Sequence, residues 1–246
     1  MIDIRTMYRS SYVGEDITST ATYENGVWSY ETDRITNSLS NDRSGKVAVV
    51  IGNGPSRRVW DRKFGGLAKI RKNPNLQIYG CNAGYRDFKY DYLVVTGTKV
   101  AAEIATTSYP DGTVCYANIE SILNHPGKFH LVPQNPRWDA GSMAAYLAAF
   151  DQHAKVYLLG FDGIDTPNYN MNYYAGTNGY NPTGDGAASD VFWGKAMGQV
   201  FAKYPLVDFV CVNETGKGYM PLPYRVASNL RRASYFDMVQ ECDLYR

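Results

Sequence analysis

The chain has few of the residues that most often hold metal ions or act as general bases. Its 246 residues include three histidines and four cysteines. The cysteines are scattered and no pair has Cys-x-x-Cys spacing, so a structural zinc site is not expected. Cys81, Cys115 and Cys211 lie in apolar runs typical of strands, and we expect them to be buried thiols.

Several catalytic motifs are also missing. There is no Gly-x-Ser-x-Gly, no His-Glu-x-x-His, no Asp-x-Asp and no glycine-rich loop ending in Gly-Lys-Ser/Thr. These absences argue against a serine hydrolase, a zinc protease and a P-loop nucleotidase. We predict no bound metal and no resident cofactor.

Charge and long apolar runs are likewise scarce. The net charge is +1, so nothing in the overall balance favours nucleic acid or an anionic membrane. The pairs Arg57-Arg58 and Arg231-Arg232 are interpreted as solvated surface. No apolar run approaches 18 residues and the first residues lack an apolar leader segment, so we expect a soluble, cytoplasmic protein without a membrane span.

The most informative feature that is present is a strand running into a glycine turn. The apolar run 47–51 leads directly into Gly52-Asn53-Gly54-Pro55-Ser56, and a polar segment, 57–72, has the length of a helix. This order aims backbone N–H groups and a helix N-terminus at a phosphate. The alternative is a tight turn without a ligand, because the glycine pattern is not a full dinucleotide-binding fingerprint.

From residue 46 onward, apolar strands alternate with helical patterns, which predicts a doubly wound, mostly parallel, Rossmann-like α/β sheet. We expect strands at 46–51, 76–81, 92–95, 113–116, 128–132, 155–160 and 207–212, and helices at 57–72, 99–106, 141–153, 190–204 and 226–241. Residues 1–45 form an extension in which Asn25-Gly26 predicts a β-hairpin, packed on the main domain 46–246 or on a neighbouring subunit.

A long polar and aromatic segment, 163–189, follows the strand that ends at Gly160. Loops of this length in compact domains are functional or disordered, and its tyrosines argue against disorder. We interpret it as a lid over a ligand, with a contact loop of a homo-oligomer as the alternative. The lid candidates are Tyr169, Tyr173, Tyr174 and Tyr180.

Further polar residues lie near predicted strand ends or helix starts. Asn82 closes the second strand of the main domain, and Asp162 follows Gly160. Arg137 is a candidate to bind a phosphate through two N–H groups of its guanidinium. Gly141 and Ser142 begin an alanine-rich helix that Asp139 is placed to cap. His130 is the best general-base candidate among the histidines.

These motifs, in this order, resemble two related groups: the bacterial lipooligosaccharide sialyltransferases, and the motility-accessory-factor and 6-hydroxymethylpterin pyrophosphokinase-like superfamily. The similarity spans roughly residues 46–162. It implies that Gly52, Asn53, Gly54 and Ser56 cradle the phosphate and ribose of a nucleotide, that Asn82 touches the nucleotide or sugar, and that Gly160 and Asp162 border the cytidine pocket. It further implies that lid tyrosines bind the donor phosphate.

The chain also departs from this pattern. The Ser-Gly of the sialyltransferases is replaced by Ala140-Gly141, with Ser142 one position late, and Thr96-Gly97-Thr98 stands where an Asn or Asp follows the third strand. Residues 163–246 contain no histidine, although these transferases place a histidine base there. The base is therefore sought at Asp185, Asp190 or His130.

Three functions remain open at this level. The first is a metal-independent glycosyltransferase that uses a nucleotide-sugar of the CMP-sialic-acid type and a glycan or small-molecule acceptor. The second is a Mg-ATP-dependent diphosphotransferase of the pterin type, which needs carboxylates for Mg²⁺. The third is a non-catalytic nucleotide-binding or assembly protein.

Overall fold

The structure is a computed structural model, and it describes residues 2–9, 16–35, 46–162, 172–182, 190–216 and 225–244. The strands are β1 (Ile2–Arg9), β2 (Asp16–Glu24), β3 (Val27–Ile35), β4 (Val47–Ile51), β5 (Leu76–Cys81), β6 (Tyr92–Val95), β7 (Val114–Ala117), β8 (His130–Leu131), β9 (Lys155–Leu159), β10 (Asp208–Asn213) and β11 (Leu230–Ser234). The helices are α1 (Arg57–Lys63), α2 (Leu67–Arg71), α3 (Thr98–Ala105), α4 (Ile119–Asn124), α5 (Ala140–Phe150), α6 (Asp190–Lys203) and α7 (Tyr235–Glu241). Two short 3₁₀ helices span Asn82–Arg86 and Tyr109–Asp111.

The strands form a single sheet in the order β11-β10-β9-β4-β5-β6-β7-β8-β1-β2-β3. All the pairings from β11 to β8 are parallel, and β1 joins β8 in parallel, whereas β2 pairs antiparallel with both β1 and β3. The predicted doubly wound, mostly parallel α/β fold is therefore confirmed. The N-terminal extension continues the sheet beyond β8.

The predicted hairpin is confirmed as the β2–β3 connection. Glu24 pairs with Val27, so only two residues form the turn, and both have positive φ: 52° for Asn25 and 83° for Gly26. Positive φ at both turn positions is the type I′ geometry, whose twist matches that of the flanking strands.

Each strand of the central sheet sends alternate residues to two apolar layers. Val49 and Ile51 of β4 pack with α1, α2, α3, α4 and α7 on one face, whereas Ala48 and Val50 pack with α5 and α6 on the other. α5 is buried along almost its whole length because its alanines let it lie close to the sheet. All four cysteines are buried, as expected for the three in apolar runs.

Two predicted elements differ from the structure, and one helix of the structure was not predicted. The helix expected over 57–72 is two helices, because Gly65 and Gly66 have φ of +80° and +73° and interrupt it. The helix expected over 226–241 contains β11, which pairs in parallel with β10, and only α7 is helical after it. The short helix α4, capped by Asn118, was not predicted.

Candidate functional site

The sheet reverses its direction of growth between β4 and β9. From β4 the chain builds outward through β5, β6, β7 and β8, then returns to place β9 on the other side of β4 and continues to β11. In open α/β sheets, ligands bind in the crevice at such a point, outside the carboxyl ends of the strands. The glycine turn (residues 52–56) and the segment Gly160–Asp162 both lie at this edge, as expected from the sequence.

The two backbones approach so closely here that only glycine fits. A Cβ on Gly52 would lie 2.5 Å from the carbonyl oxygen of Gly160, and a Cβ on Gly54 would lie 2.5 Å from the same atom. Gly160 has φ +75°, and a Cβ there would lie 2.8 Å from the oxygen of Gly52. The glycines are thus explained by backbone contact within the protein as well as by any ligand.

The amides that the sequence offered as a phosphate cradle are already hydrogen-bonded. Gly52 N and Gly54 N donate to the carbonyls of residues 159 and 160 at 2.8 and 2.9 Å. Ser56 N donates to Asp162 Oδ2 at 2.5 Å, so a carboxylate occupies the position where an external anion was expected. The glycine turn therefore has few free backbone donors for a phosphate.

Two side-chain atoms of the turn remain without a partner. Asn53 Oδ1 and Ser56 Oγ are buried, and no described residue hydrogen-bonds to either. The amide nitrogen of Asn53 is used, since Nδ2 donates to the carbonyl of Cys81 at 3.1 Å. Buried polar atoms in native proteins normally have a partner, so these two mark the place where a ligand or a bound water completes the structure.

Asn82 stabilises the neighbouring turn instead of facing the crevice with a free oxygen. Its Oδ1 accepts hydrogen bonds from Thr96 N at 2.9 Å and Gly97 N at 3.3 Å. Its backbone has φ 44°, a left-handed conformation that Asn tolerates better than most residues. This arrangement joins the carboxyl ends of β5 and β6.

The start of α5 borders the crevice, as the sequence predicted. Asp139 caps this helix: Oδ1 accepts from Ser142 N at 2.9 Å and Oδ2 accepts from Ser142 Oγ at 2.5 Å. Burial raises the pKa of Asp139. A Cβ on Gly141 would lie 3.6 Å from the ring of Phe161, the residue after Gly160. Arg137 is exposed and forms no ion pair with any residue that the structure describes.

Residues 172–182, here called the tyrosine segment, cover the glycine turn. Tyr173 N donates to the carbonyl oxygen of Asn53 at 2.6 Å, and the Tyr180 hydroxyl accepts from Ala83 N at 3.3 Å. Tyr174 is 4% exposed. Three of the four predicted lid tyrosines therefore lie at the predicted site. Tyr169 and Asp185 lie outside the described residues, and Asp190 is the first residue of α6.

Arg57, which follows the turn, anchors this segment. The prediction that Arg57 lies on a solvated surface was wrong, because its side chain is 0% exposed. Its Nη2 donates to Asp87 Oδ2 at 2.5 Å and to the Tyr174 hydroxyl at 2.9 Å, and the Tyr173 ring lies 4.0 Å from the guanidinium carbon. Its position directly after the glycine turn was the only sequence feature that set it apart.

A second contact holds the other half of the tyrosine segment. Arg86 donates to Thr177 Oγ1 and to the carbonyl of Asn178, both at 2.8 Å, and to the Glu103 carboxylate. Glu103 also accepts from Asn178 Nδ2 at 2.6 Å. The hydrogen bonds from Arg86 are the main reason that the pKa of Glu103 is lowered to about 2.

His130 lies far from this crevice. It is on β8, four strand positions from β4 in the sheet, or roughly 19 Å at about 4.8 Å per strand. The structure therefore does not bring His130 together with the glycine turn and the tyrosine segment, and it is not a base for chemistry at that place.

Over the described ranges, no three His, Cys, Asp or Glu side chains converge as metal ligands. No helix in the same ranges is long and apolar enough to cross a membrane. Comparison of the chain with protein-family models, with curated proteins and with solved structures finds no match.

Proposed function

We propose that the crevice between β4 and β9 binds a nucleotide or nucleotide-sugar, and that the protein is a glycosyltransferase-like enzyme. The observation that carries this proposal is the pair of buried atoms without partners, Asn53 Oδ1 and Ser56 Oγ, at the point where the sheet reverses. The tyrosine segment packed over the turn supports it, because tyrosines combine an apolar ring with a polar tip.

The unpartnered atoms also specify which part of the ligand lies at the turn. An amide oxygen only accepts hydrogen bonds, so Asn53 Oδ1 needs a donor. A ribose or sugar hydroxyl supplies one, whereas a phosphodiester has no proton to give. With the amides of Gly54 and Ser56 already engaged, the turn fits a hydroxylated moiety better than a phosphate.

In a sugar transfer, the leaving phosphate gains negative charge and the acceptor hydroxyl loses a proton. We assign the first task to hydroxyls of the tyrosine segment, which then act in place of a metal ion. We assign the second to Asp185 or Asp190, which follow that segment in the chain. His130 is not assigned a role because of its distance from the crevice.

A thermal-shift and calorimetric screen tests this proposal. The ligands are CMP, CDP, UDP, GDP, ADP and ATP, each with and without Mg²⁺. At a hundred times its dissociation constant, a ligand stabilises the fold by about 2.7 kcal/mol, and for a chain of this size that raises Tm by roughly 5–11 °C. Asn53→Ala should abolish the shift, whereas Asn75→Ala, an exposed Asn preceding β5, should not.

The outcomes separate the three functions. A Mg²⁺-independent hit, followed by nucleotide release from the matching sugar donor, supports the glycosyltransferase. An ATP hit that requires Mg²⁺ supports diphosphate transfer, and binding without turnover of any donor supports a non-catalytic binder. If no nucleotide shifts Tm at millimolar concentration, the glycine turn is a structural turn and the proposal fails.

A further inference from the structure

Arg57 is a buried cation that is only partly satisfied. A guanidinium carries five N–H donors, but the side-chain hydrogen bonds of Arg57 to described residues all come from Nη2. Its Nε and Nη1 are buried and have no acceptor among the described residues. Such a group calls for an explanation, since unmade hydrogen bonds of a buried charge are costly.

The negative charges around Arg57 do not fill this gap. Asp87 contacts only Nη2, whereas a well-paired carboxylate accepts hydrogen bonds from two nitrogens of a guanidinium. The Asp87 side chain is also 42% exposed. Asp61 Oδ2 lies 4.0 Å from Nε, too far for a hydrogen bond. Burial lowers the pKa of Arg57, but nearby tyrosines and Asp87 outweigh it and the net shift is upward. The side chain therefore stays charged.

The position of Arg57 connects its free donors with the crevice. It directly follows the glycine turn. The Tyr173 ring covers its guanidinium, and the backbone N–H of Tyr173 donates a hydrogen bond to the carbonyl oxygen of Asn53 in that turn. Within the turn, Ser56 N is taken by the Asp162 carboxylate, which also repels a second anion. Besides the Ser56 hydroxyl, the side-chain donors without a partner at this edge are then those of Arg57, and only they carry positive charge.

We propose that Arg57 is a phosphate-binding residue of this site, in which Nη1 donates to one oxygen of the ligand's phosphate and Nη2, once released by Asp87, donates to a second. The inference rests on the proposed function, because it names the residue that recognises the anionic part of the nucleotide. Asp87 and the Tyr174 hydroxyl are its internal partners in the closed structure, and the tyrosine segment shifts to admit the phosphate. Asp87 is thus a competitor of the ligand for the same cation.

The test compares a nucleoside with its 5′-monophosphate by calorimetry, using the base selected in the nucleotide screen. The ratio of their dissociation constants measures recognition of the phosphate alone. Arg57→Lys keeps the charge but loses the planar fork, so this ratio should fall roughly tenfold or more. Arg62→Lys is the matched control, because Arg62 is an exposed arginine in the last turn of α1 and its change should leave the ratio intact.

A second variant keeps the test decisive if Arg57→Lys does not fold. Asp87→Asn preserves shape and removes the competing charge, so the phosphate preference should increase several-fold. A purely structural role for Arg57 predicts no such gain. If nucleotides bind and neither variant changes the ratio, the inference on Arg57 is overturned while the proposed function stands.

Inorganic phosphate distinguishes the remaining cases. If nucleosides and nucleotides do not bind, the proposed function fails on its own. The anion site would still be supported if inorganic phosphate stabilised the wild type and this stabilisation either disappeared in Arg57→Lys or grew in Asp87→Asn. An absence of any phosphate effect on the wild type would overturn it.

Discussion

Replacing Gly160 by alanine should destabilise the protein much more than the same change at Gly127. The two glycines have nearly identical backbone conformations, with φ of +75° and +76°. A Cβ on Gly160 would lie 2.8 Å from the carbonyl oxygen of Gly52, whereas a Cβ on Gly127 would meet nothing within 4 Å. The pair therefore separates the cost of conformation from the cost of close approach at the crevice.

The magnitudes follow from these two contributions. A left-handed alanine costs roughly 1–2 kcal/mol, and both variants bear this cost. The added clash at Gly160 is with backbone that cannot rotate away, and forcing extra atoms into a packed site costs about 1–3 kcal/mol more. For a chain of 150–250 residues, that difference lowers Tm by roughly a further 2–12 °C.

Urea unfolding at 25 °C, followed by circular dichroism, gives the free energy of unfolding of Gly160→Ala and of Gly127→Ala, and calorimetry gives the Tm of each variant. Gly160→Ala should be the less stable of the two variants by the margin above, with an unchanged dependence on urea. If the two variants are equally stable within about 0.5 kcal/mol, the backbones of β4 and β9 do not meet as described, and the geometry of the site is wrong.

Three other predictions concern the residues around the crevice. Asn82→Ala removes the acceptor of two backbone amides and should lower the free energy of unfolding, measured with urea, by roughly 2–4 kcal/mol. A loss below about 0.5 kcal/mol would refute the role of Asn82 in holding the turn after β6. Tyr174→Phe loses hydrogen bonds to two charged groups, so it should cost about 1–2 kcal/mol and speed proteolysis within 172–182. Tyr180→Phe loses only bonds with uncharged groups, Ala83 N at 3.3 Å and the Asn53 side chain, and should cost less; equal costs would contradict this. Because the hydrogen bonds from Arg86 lower the pKa of Glu103 from 4.5 to about 2, its stabilising contribution is complete above pH 4.5 and disappears as the pH falls towards 2. The difference in urea midpoint between wild type and Glu103→Gln should shrink over that range, and a difference that is constant with pH would contradict the assignment.

The sheet was predictable from the sequence because buried parallel strands are continuous apolar runs. Every strand expected from residue 46 onward exists, and the Asn25-Gly26 hairpin has the expected turn. The failures occurred where tertiary contacts override local pattern. β11 (Leu230–Ser234) reads Leu-Arg-Arg-Ala-Ser, with no apolar run, and its pairing with β10 is visible only once the sheet is formed.

The site was only partly predictable for a related reason. Local pattern located the glycine turn, Asp162 and the tyrosines of the covering segment, because chain order places strand ends at one edge. It did not show that Asp162 bonds the amide of Ser56, or that Arg57 is buried under Tyr173. These contacts join residues about a hundred positions apart, and a side chain's partners at that separation are not encoded in local spacing.

Hydrogen–deuterium exchange, with and without the nucleotide that gives the largest thermal shift, would locate the ligand site on the fold. We predict slower exchange at residues 52–57 and 172–182, and no change on β8, where His130 lies. Protection confined to β8 or to the β2–β3 hairpin, with none at the glycine turn, would contradict the claim that the crevice between β4 and β9 is the ligand site.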